Sequence, residues 1–531
     1  MNHRLVTCCV LLLTLLAAGV AAASPLADGI TLLGSKSFKE KSQGIDKIAE
    51  SGDPKAEVML TALLEGRLFF TKADQVLVSC RAAVAGCDGV EVLSGRELGQ
   101  LAKKGLGRIA INNSLRGQLK SRLATLNLTS DDPAVRLAAV QTMYGDITAD
   151  QSGLFADLLT REQDARVQQA LTTALALAQL KSDDLDIRQA ALAELAGNLD
   201  PSVRNALTAL ASQEQEVSIK NQLQRVLKGI DSQIAWYAKL ETIFFGMSLG
   251  SVLVLAAIGL AITFGVIGVI NMAHGELIMI GAYTAYVIQE LLPGQIGLAL
   301  ALAVPAAFLV SALVGIVIER SVIRFLYGRP LETLLATFGI SLILQQAVRT
   351  IFSPLNRSVA TPDWMSGSIV INPVLSLTAN RVTIFFFSLA VFGLLFLLMK
   401  KSSIGLQVRA VSQNRGMARA MGVRAARVDA LTFGLGSGIA GIAGVALSQL
   451  TNVGPNLGQA YIVDSFMVVV FGGVGNLWGT LLGGLSLGVA NKFLEPWSGA
   501  VLAKIIILVF IILFIQKRPQ GLFPQRGRAA D

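Results

Sequence analysis

Apolar residues are distributed unevenly along this chain of 531 residues. From residue 1 to about 231 the composition is that of a water-soluble domain, whereas from about Ile243 to Phe514 apolar runs reach the ~20 residues that a membrane-spanning helix needs. The membrane domain is expected to begin at about residue 234, near Trp236 and Tyr237, which suit the level of the lipid headgroups. The predicted spans lie near residues 243–263, 272–290, 298–318, 332–352, 382–399, 429–450, 461–477, 480–494 and 500–515.

Two of these apolar segments are interrupted by glycines and polar residues that a lipid-facing helix would exclude. Residues 265–286 read GVIGVINMAHGELIMIGAYTAY, and residues 468–489 read VVVFGGVGNLWGTLLGGLSLGV. Paired interruptions in the two halves of a membrane domain are a sequence sign of a translocation path. The pattern therefore predicts a transporter, although the glycines of the second segment are also compatible with close helix packing.

The interrupted segments supply the candidate residues for such a path. Ionisable side chains in a spanning segment are costly and tend to face the bundle interior or a wet cavity. The amide of Asn271 can both donate and accept hydrogen bonds, so we expect it to line the path. Glu276 is expected to tie neighbouring helices together, His274 fits either role, and Asp464 is expected to cap a helix. The path candidates are Asn271, His274, Glu276, Gly472, Gly473 and Asn476.

The amino end has the three-part pattern of a secretory signal. Arg4 precedes the apolar run 5–20, and three alanines at 21–23 precede Ser24. We expect cleavage after Ala23, with an uncleaved anchor helix as the alternative, so residues 24–233 are predicted to lie outside the cytoplasm. In an oxidising compartment Cys80 and Cys87 are candidates for a disulfide, although two unlinked thiols remain possible.

The predicted exported domain contains a loose repeat of helix starts. DPAVRLAAV begins at Asp132 and DPSVRNALTAL at Asp200, with looser copies at Asp186 and Asp53. Asp can accept hydrogen bonds from the first backbone N–H groups of a helix, and Pro suits the first helical position. The repeat predicts short amphipathic helices, arranged either as an irregular array similar to HEAT repeats or as a compact helical bundle.

Lysines and arginines indicate the orientation in the membrane, because cytoplasmic loops are enriched in them. The loop at 400–428 carries seven basic residues before its first acid, Asp429. The turn at 320–329 and the tail at 517–528 are also basic and should lie on the same, cytoplasmic side. An exported first domain and a cytoplasmic carboxyl terminus require an odd number of crossings, which nine satisfies. The fold class predicted is therefore all-α, a membrane bundle of about eight or nine segments behind an exported helical domain.

The basic loop contains a short amphipathic helix, IGLQVRAVSQNRGMARAMGVRAARV from Ile404. Val408 and Val411, with Met417 and Met421, lie near helical spacing, and the polar residues lie on other faces. Such a helix can dock on an ATP-hydrolysing partner, or it can be a basic loop that lies on lipid headgroups. The docking candidates are Arg409, Gln413, Asn414, Arg415, Arg419, Gly422 and Arg424.

From about Leu240 to Pro524 the chain resembles permease subunits of ABC importers for branched-chain amino acids and related small solutes. The motifs that carry the resemblance are GVINMAHGELIMIGAY (268–283), IGLQVRAVSQNRGMARAMGV (404–423), VVVFGGVGNLWGTLLGG (468–484) and RPQGLFP (518–524). The fused exported domain resembles the B-type permeases of urea transport within this family. The resemblance implies urea import across a bacterial inner membrane, with a second permease subunit, two cytoplasmic ATPase subunits and a periplasmic solute-binding protein as partners.

Other residues limit the alternatives. The chain has no G-x-x-x-x-G-K-[ST] phosphate loop, so ATP would be used by a partner and no cofactor is expected here. After signal cleavage His274 is the only histidine, which argues against an enzyme or a histidine metal cluster. The net charge of +9 is explained by cytoplasmic loops with secondary contact to lipid, and gives no reason to expect nucleic acid. Permeation of branched-chain amino acids or short amides, and a secondary transporter, remain the alternatives.

Overall fold

A computed structural model of the chain describes residues 25–72, 74, 76–83, 86–102 and 105–523. The predicted signal peptide, residues 1–23, lies outside the described residues. The chain divides into two units, Met1–Gln233 and Ile234–Asp531. Both are built mainly from helices, which confirms the mostly helical fold class.

The first unit begins with three short helices, α1 (Pro25–Leu33), α2 (Phe38–Ala49) and α3 (Lys55–Leu64). Their apolar faces form one core with the following helix α4 (Asn113–Asn127), in which Ile48, Met59 and Leu119 are fully buried. Residues at three- and four-residue spacing supply these faces, as expected for amphipathic helices.

A five-stranded antiparallel sheet follows α3, so the purely helical description of this domain is wrong over this segment. The strands are β1 (Leu68–Thr71), β2 (Leu77–Ala83), β3 (Gly86–Glu91), β4 (Glu97–Leu101) and β5 (Leu106–Arg108), in the order β4-β3-β2-β1-β5. Each run is too short for a stable helix, and backbone pairing with a neighbouring strand completes its hydrogen bonds. A disulfide between Cys80 and Cys87 joins β2 to β3, with Cα atoms 5.3 Å apart.

The remaining helices of this unit form the predicted repeat. They are α5 (Pro133–Met143), α6 (Ser152–Arg161), α7 (Ala165–Gln179), α8 (Leu185–Leu195) and α9 (Pro201–Gln213), followed by the start of α10 (Val217–Ile267). Asp132 accepts from the N–H of Ala134 and Asp200 from that of Ser202, so both predicted caps are confirmed. At the looser copy the capping residue is Asp184, not Asp186. Helices pack against neighbours close in sequence, as in a helical-repeat array.

Ion pairs join successive helices of this array. Three of the capping aspartates are followed, four residues later, by an arginine. Each of these arginines pairs with an acid 26 or 27 residues further along the chain. The pairs are Arg136 with Glu162, Arg188 with Glu214, and Arg204 with Asp231. Arg136 donates to both carboxylate oxygens of Glu162 over 2.7 Å. The bidentate geometry fixes the spacing of the helices as well as adding energy.

The nine predicted spans of the second unit correspond to eight helices. Six are long and apolar enough to span a membrane: α10, α12 (Ile296–Ser321), α13 (Pro330–Phe352), α14 (Ala379–Lys401), α17 (Ala425–Ser448) and α19 (Leu477–Lys517). The other two are α11 (His274–Leu291) and the shorter α18 (Leu457–Gly472). The helices α15 (Ser403–Gln413) and α16 (Arg415–Ala420) lie in the basic loop, and a small hairpin of β6 (Ser368–Val370) and β7 (Ser376–Thr378) precedes α14.

Helix α19 contains both of the last two predicted spans. Its backbone is not helical at Gly499, three residues after Pro496. Asn476, just before the helix, donates from Nδ2 to the carbonyl of Phe523, just after it, over 3.3 Å. Because the two ends of the segment meet, the chain reverses direction at the break. The interruption therefore separates two antiparallel crossings.

Helices α10 and α17 form the centre of the bundle. In each of them, 83% of the most apolar 18-residue stretch is buried. The corresponding share is 17–28% in α12, α13, α14 and α19. The three basic segments meet at one end of this centre. The Arg415 guanidinium lies 4.8 Å above the ring of Tyr327, and Val266, near the end of α10, packs with Val408 and Val428. Gly475 lies against Gly265 at the same end. The basic turn, the basic loop and the tail therefore share one end of the bundle.

The ion pair of Arg136 and Glu162 should make the stability of the first unit depend on pH. Hydrogen bonds from Arg136 and from the backbone N–H groups of Gln163 and Asp164 lower the pKa of Glu162 to about 2, from an ordinary value of 4.5. Because the lower pKa belongs to the folded state, this stabilisation is complete above about pH 4.5 and is lost as the pH falls towards 2. E162Q should cost about 1–3 kcal/mol at pH 7 and flatten the acid dependence.

Thermal unfolding of the full chain in detergent, followed by circular dichroism across this pH range, measures the effect. E57Q, at an exposed position of α3, is the matched control and should behave as wild type. Parallel acid dependence in wild type and E162Q would show that the pair is not responsible.

Candidate functional site

The first interrupted segment folds back into the bundle. Helix α10 ends at Ile267 and α11 begins at His274. His274 donates from Nε2 to the carbonyl of Ala256 over 2.8 Å, and Ala256 lies eleven residues before the end of α10. At 1.5 Å per residue this is about 16 Å from the end of that helix. Residues 268–273 therefore run back alongside α10, and α11 begins in the interior of the bundle.

A second helix also begins in the interior. Helix α17 ends at Ser448, and α18 begins at Leu457 after a non-helical connection at 449–456. The start of α18 lies directly against the start of α11, because a Cβ added at Gly275 would be 2.6 Å from the carbonyl oxygen of Gly458. A Cβ at Gly458 would overlap the Gly275 carbonyl in turn. Glycine at both positions is what allows two helix starts to meet inside the bundle.

A polar stripe on α13 packs against this region. Thr333, Thr337, Ser341 and Gln345 follow one another at four-residue spacing and are all buried. Ser341 Oγ and Gln345 Nε2 donate to Glu276 Oε1 over 2.9 and 2.8 Å. Thr337 Oγ1 accepts from the N–H of Met272 over 3.2 Å. The stripe therefore supplies hydrogen bonds to the non-helical segment and to the first turn of α11, where it joins Glu276 to α13.

Three side chains of this region keep a polar atom for which the described part of the chain offers no partner. These buried atoms are Asn271 Nδ2, His274 Nδ1 and Glu276 Oε2. Asn271 Oδ1 is occupied by the N–H of Ala273 at 3.0 Å, and His274 Nε2 is occupied by Ala256. Buried polar groups normally have partners, so such a group of vacant donors and acceptors can bind a small polar molecule or water. The region combines the side chains Asn271, His274, Glu276, Thr337, Ser341 and Gln345, here called the polar cluster.

The second predicted interruption has a different geometry from the first. Gly473, with φ 104°, follows the last residue of α18, and Asn476 caps α19 by accepting from the N–H groups of Trp478 and Gly479. The tail completes this turn, since the N–H groups of Leu522 and Phe523 donate to the carbonyls of Phe471 and Gly472. Gly472, Gly473 and Asn476 therefore form a capped turn at the end of the bundle, and their hydrogen bonds do not involve the polar cluster.

Sequence reasoning missed two parts of the site. The start of α18 was hidden in NVGPNLGQ at 452–459, where Gly454-Pro455 and Gly458 were the available signal. The polar stripe of α13 was visible as four polar residues at four-residue spacing within an apolar span. Asp464 is also corrected: it is the eighth residue of α18, and its Oδ2 accepts from Lys504 Nζ at 2.7 Å, so it joins two helices and does not cap one.

The basic loop folds as the two short helices α15 and α16, connected through Asn414, which accepts from the N–H of Met417. Val408 and Val411 are buried as predicted, together with Ala418. Met417 and Met421 are 62% and 78% exposed, so they do not extend the buried face that Val408 and Val411 form. The short α16 turns them away from the core that α15 covers. The exposed docking candidates are Arg409, Gln413, Asn414, Arg419, Gly422 and Arg424.

Arg415 differs from the other docking candidates because its side chain points inward. It pairs with Asp429, whose side chain is fully buried at the start of α17, and stacks on Tyr327. The Tyr327 hydroxyl in turn donates to Glu319 Oε1 of α12 over 2.7 Å. The buried carboxylate of Asp429 gains both charge pairing and hydrogen bonds from Arg415, which explains the inward orientation. Arg415 thus fixes the basic loop to α12 and α17.

Comparison with known proteins identifies similar chains. Residues 242–515 match the sequence profile described as branched-chain amino acid transport system / permease component. The high-affinity branched-chain amino acid transport system permease protein BraD of Pseudomonas aeruginosa is 32% identical over 299 residues, which cover 54% of this chain and 96% of BraD. LivH of Escherichia coli K12, described in the same words, is 32% identical over 294 residues, or 53% and 94% of the two chains. The ribose import permease protein RbsC of the same strain is 24% identical over 277 residues, or 50% and 80%. No solved structure matches the chain.

The contact of the two helix starts predicts a sharp effect of one added methyl group. G458A should destabilise the protein by at least about 2 kcal/mol, because its Cβ would overlap the Gly275 backbone. G393A on α14 is the matched control: its Cβ would meet open space, and Ala should favour the helix by up to about 1 kcal/mol. Thermal unfolding of the full chain in detergent compares the two variants. Equal melting temperatures would contradict a close backbone contact.

Proposed function

This chain belongs to the family of branched-chain amino acid transport permease components, and from that premise we propose that it is the permease subunit of an ABC importer that takes up urea. The observation that carries the transport proposal is the meeting of α11 and α18 at Gly275 and Gly458. Helices that begin inside a membrane bundle, preceded by non-helical backbone, are the arrangement used at midplane solute sites.

The composition of the polar cluster supports an uncharged amide as the solute. Its six side chains are two amides, two hydroxyls, an imidazole and a carboxyl group, with no lysine or arginine among them. Urea needs several donors and acceptors but no counter-charge, and the polar cluster offers both donors and acceptors. The vacant Nδ2 of Asn271 can donate to a urea carbonyl, and the vacant Nδ1 of His274 can accept from a urea N–H.

The first unit supports urea through its resemblance to the domain fused ahead of the B-type permeases of urea transport. BraD aligns over 96% of its own length with only 299 residues here, so nothing in it corresponds in size to the first unit of 233 residues. We propose that this unit is exported behind a signal peptide and that the basic end of the bundle faces the cytoplasm. An exported domain fused to the permease is the feature that favours urea over branched-chain amino acids.

Import of branched-chain amino acids is the second candidate, and the relatives favour it. BraD and LivH, both described as branched-chain amino acid permease proteins, are 32% identical to this chain. The uptake experiment below distinguishes the two solutes.

The basic loop supports a separate ATPase as the energy source. Helix α15 buries Val408 and Val411 against the bundle, and Arg415 anchors α16 to Asp429, so the loop is a fixed element with an exposed cationic surface. We propose that Arg409, Arg419 and Arg424 contact one of two ATPase subunits. The complete importer would also contain a second permease subunit and an external solute-binding protein.

Charge reversal of the exposed arginines should separate the permease from its ATPase. R419E/R424E should abolish copurification of ATPase activity with the tagged permease, because both side chains are exposed on the loop. Arg415 is left unchanged, since its replacement would break a buried ion pair and confuse docking with folding. R225E, an exposed change in the first unit, is the control. Retained ATPase activity in R419E/R424E would exclude this surface as the docking site.

Restoring the gene should restore urea uptake. We expect labelled urea at micromolar concentration to enter cells that carry the gene, but not cells that lack it, with no inhibition by excess leucine. Vanadate should block this uptake, because an ATPase drives it. Uptake of leucine but not of urea would overturn the solute assignment and keep the permease assignment. Vanadate-resistant uptake driven by an ion gradient would favour a secondary transporter.

A further inference from the structure

The first unit contains a cleft that transport does not use. It has a volume of about 390 Å³ and lies between the α1–α2 connection and the edge formed by β1 and β5. Its wall includes four basic residues and two aromatic rings: Lys36, Lys41, Lys72, Arg108, Phe38 and Phe70. No aspartate or glutamate is among the described residues that line it. The four cations come from three separate parts of the chain, so the fold brings them together.

Lys41 forms the base of the cleft and is only 6% exposed. Its ammonium group donates to the carbonyl of Ala110 over 2.8 Å and lies 5.5 Å from the centre of the Phe38 ring. An ammonium has three N–H donors, so this carbonyl uses one of them. No carboxylate within the described ranges pairs with Lys41, and burial lowers the pKa of its ammonium. A buried charge without a counter-ion is costly, and an anion in the cleft would remove that cost.

Several other cations of this unit pair with acids, and two of them, Lys47 and Arg122, are much more exposed than Lys41. Lys47 pairs with Asp28, Arg122 with Asp46, and Arg136 with Glu162. Arg108 lies on the edge strand β5 opposite Phe69, so its side chain points to the face of the sheet away from Phe70 and lies beside Gly66. Like charges in a concave site raise the local concentration of anions. The cleft therefore has the charge, the donors and the concave shape of an anion site.

We propose that this cleft binds a small anion through its carboxylate or phosphate group. The oxyanion would sit at the Lys41 ammonium, while Phe38 and Phe70 would contact the body of the ligand. Lys36 and Lys72 at the rim would attract it. The inference concerns the first unit alone and does not depend on the solute that the membrane unit carries.

Isothermal titration calorimetry of the full chain in detergent tests this proposal with two probes. Inorganic phosphate and citrate are titrated separately at pH 7 and constant ionic strength. The variants are K41M, which keeps an unbranched apolar side chain, and K36Q. K41M should weaken binding by about tenfold or more, since it removes a charge-assisted hydrogen bond, and K36Q should weaken it by less, since it removes one charge at the rim. R161Q is the matched control, because Arg161 is exposed on α6 and pairs with Asp157 away from the cleft.

Saturable binding of either probe that both variants weaken, and R161Q does not, supports the site. Phosphate alone would assign a phosphate ligand, and citrate alone a carboxylate. No saturable binding of either probe, or equal affinity in all variants, would overturn the proposal. If circular dichroism shows that K41M does not fold, K36Q and K72Q decide the outcome in the same way.

Discussion

The backbone contact between Gly275 and Gly458 is the constraint on which the membrane unit depends. Two helices can begin inside an apolar bundle only if their unpaired N–H groups and the preceding non-helical backbone find partners within the protein. The polar stripe of α13 provides such partners, because Thr337 binds the backbone of Met272, and Ser341 and Gln345 bind Glu276. The polar cluster thus has two consequences: it holds the broken segment in place, and it leaves vacant polar atoms at the bundle interior.

The basic end of the bundle follows a different physical rule. There the buried carboxylates of Asp429 and Glu319 are met by Arg415 and by the hydroxyl of Tyr327. These contacts connect the basic loop to α12 and α17, and α17 also runs beside α10 through the close contact of Gly436 with Gly259. A displacement of the loop would therefore reach the central helices directly. The same arrangement explains why Arg415 is inward while Arg419 and Arg424 remain exposed.

The two units are stabilised by different interactions because their surroundings differ. In the first unit, aspartate caps and ion pairs such as Arg136 with Glu162 fix short helices whose apolar faces form the core. In the second unit, glycine contacts allow helix backbones to approach closely, as is common where apolar solvent offers little hydrophobic drive between helices. Lys41 of the first unit differs from Lys47 and Arg122 in that it is buried and donates to a carbonyl, whereas those two more exposed cations pair with acids.

The sequence by itself determined the features that depend on neighbouring residues. Apolar run length located the membrane helices, Asp-Pro pairs located the caps at Asp132 and Asp200, and the spacing of Val408 and Val411 located the inner face of α15. Tertiary structure decided what depends on distant residues. Glu276 meets its partners on α13 65 and 69 residues later, and Gly275 meets Gly458 only because two helices start at the same depth. Three further features also depend on distant partners: the sheet, the inward Arg415 and the capped turn at Gly473. The sequence around a strand or a side chain does not specify which distant group will complete its hydrogen bonds, so no local pattern predicts these features.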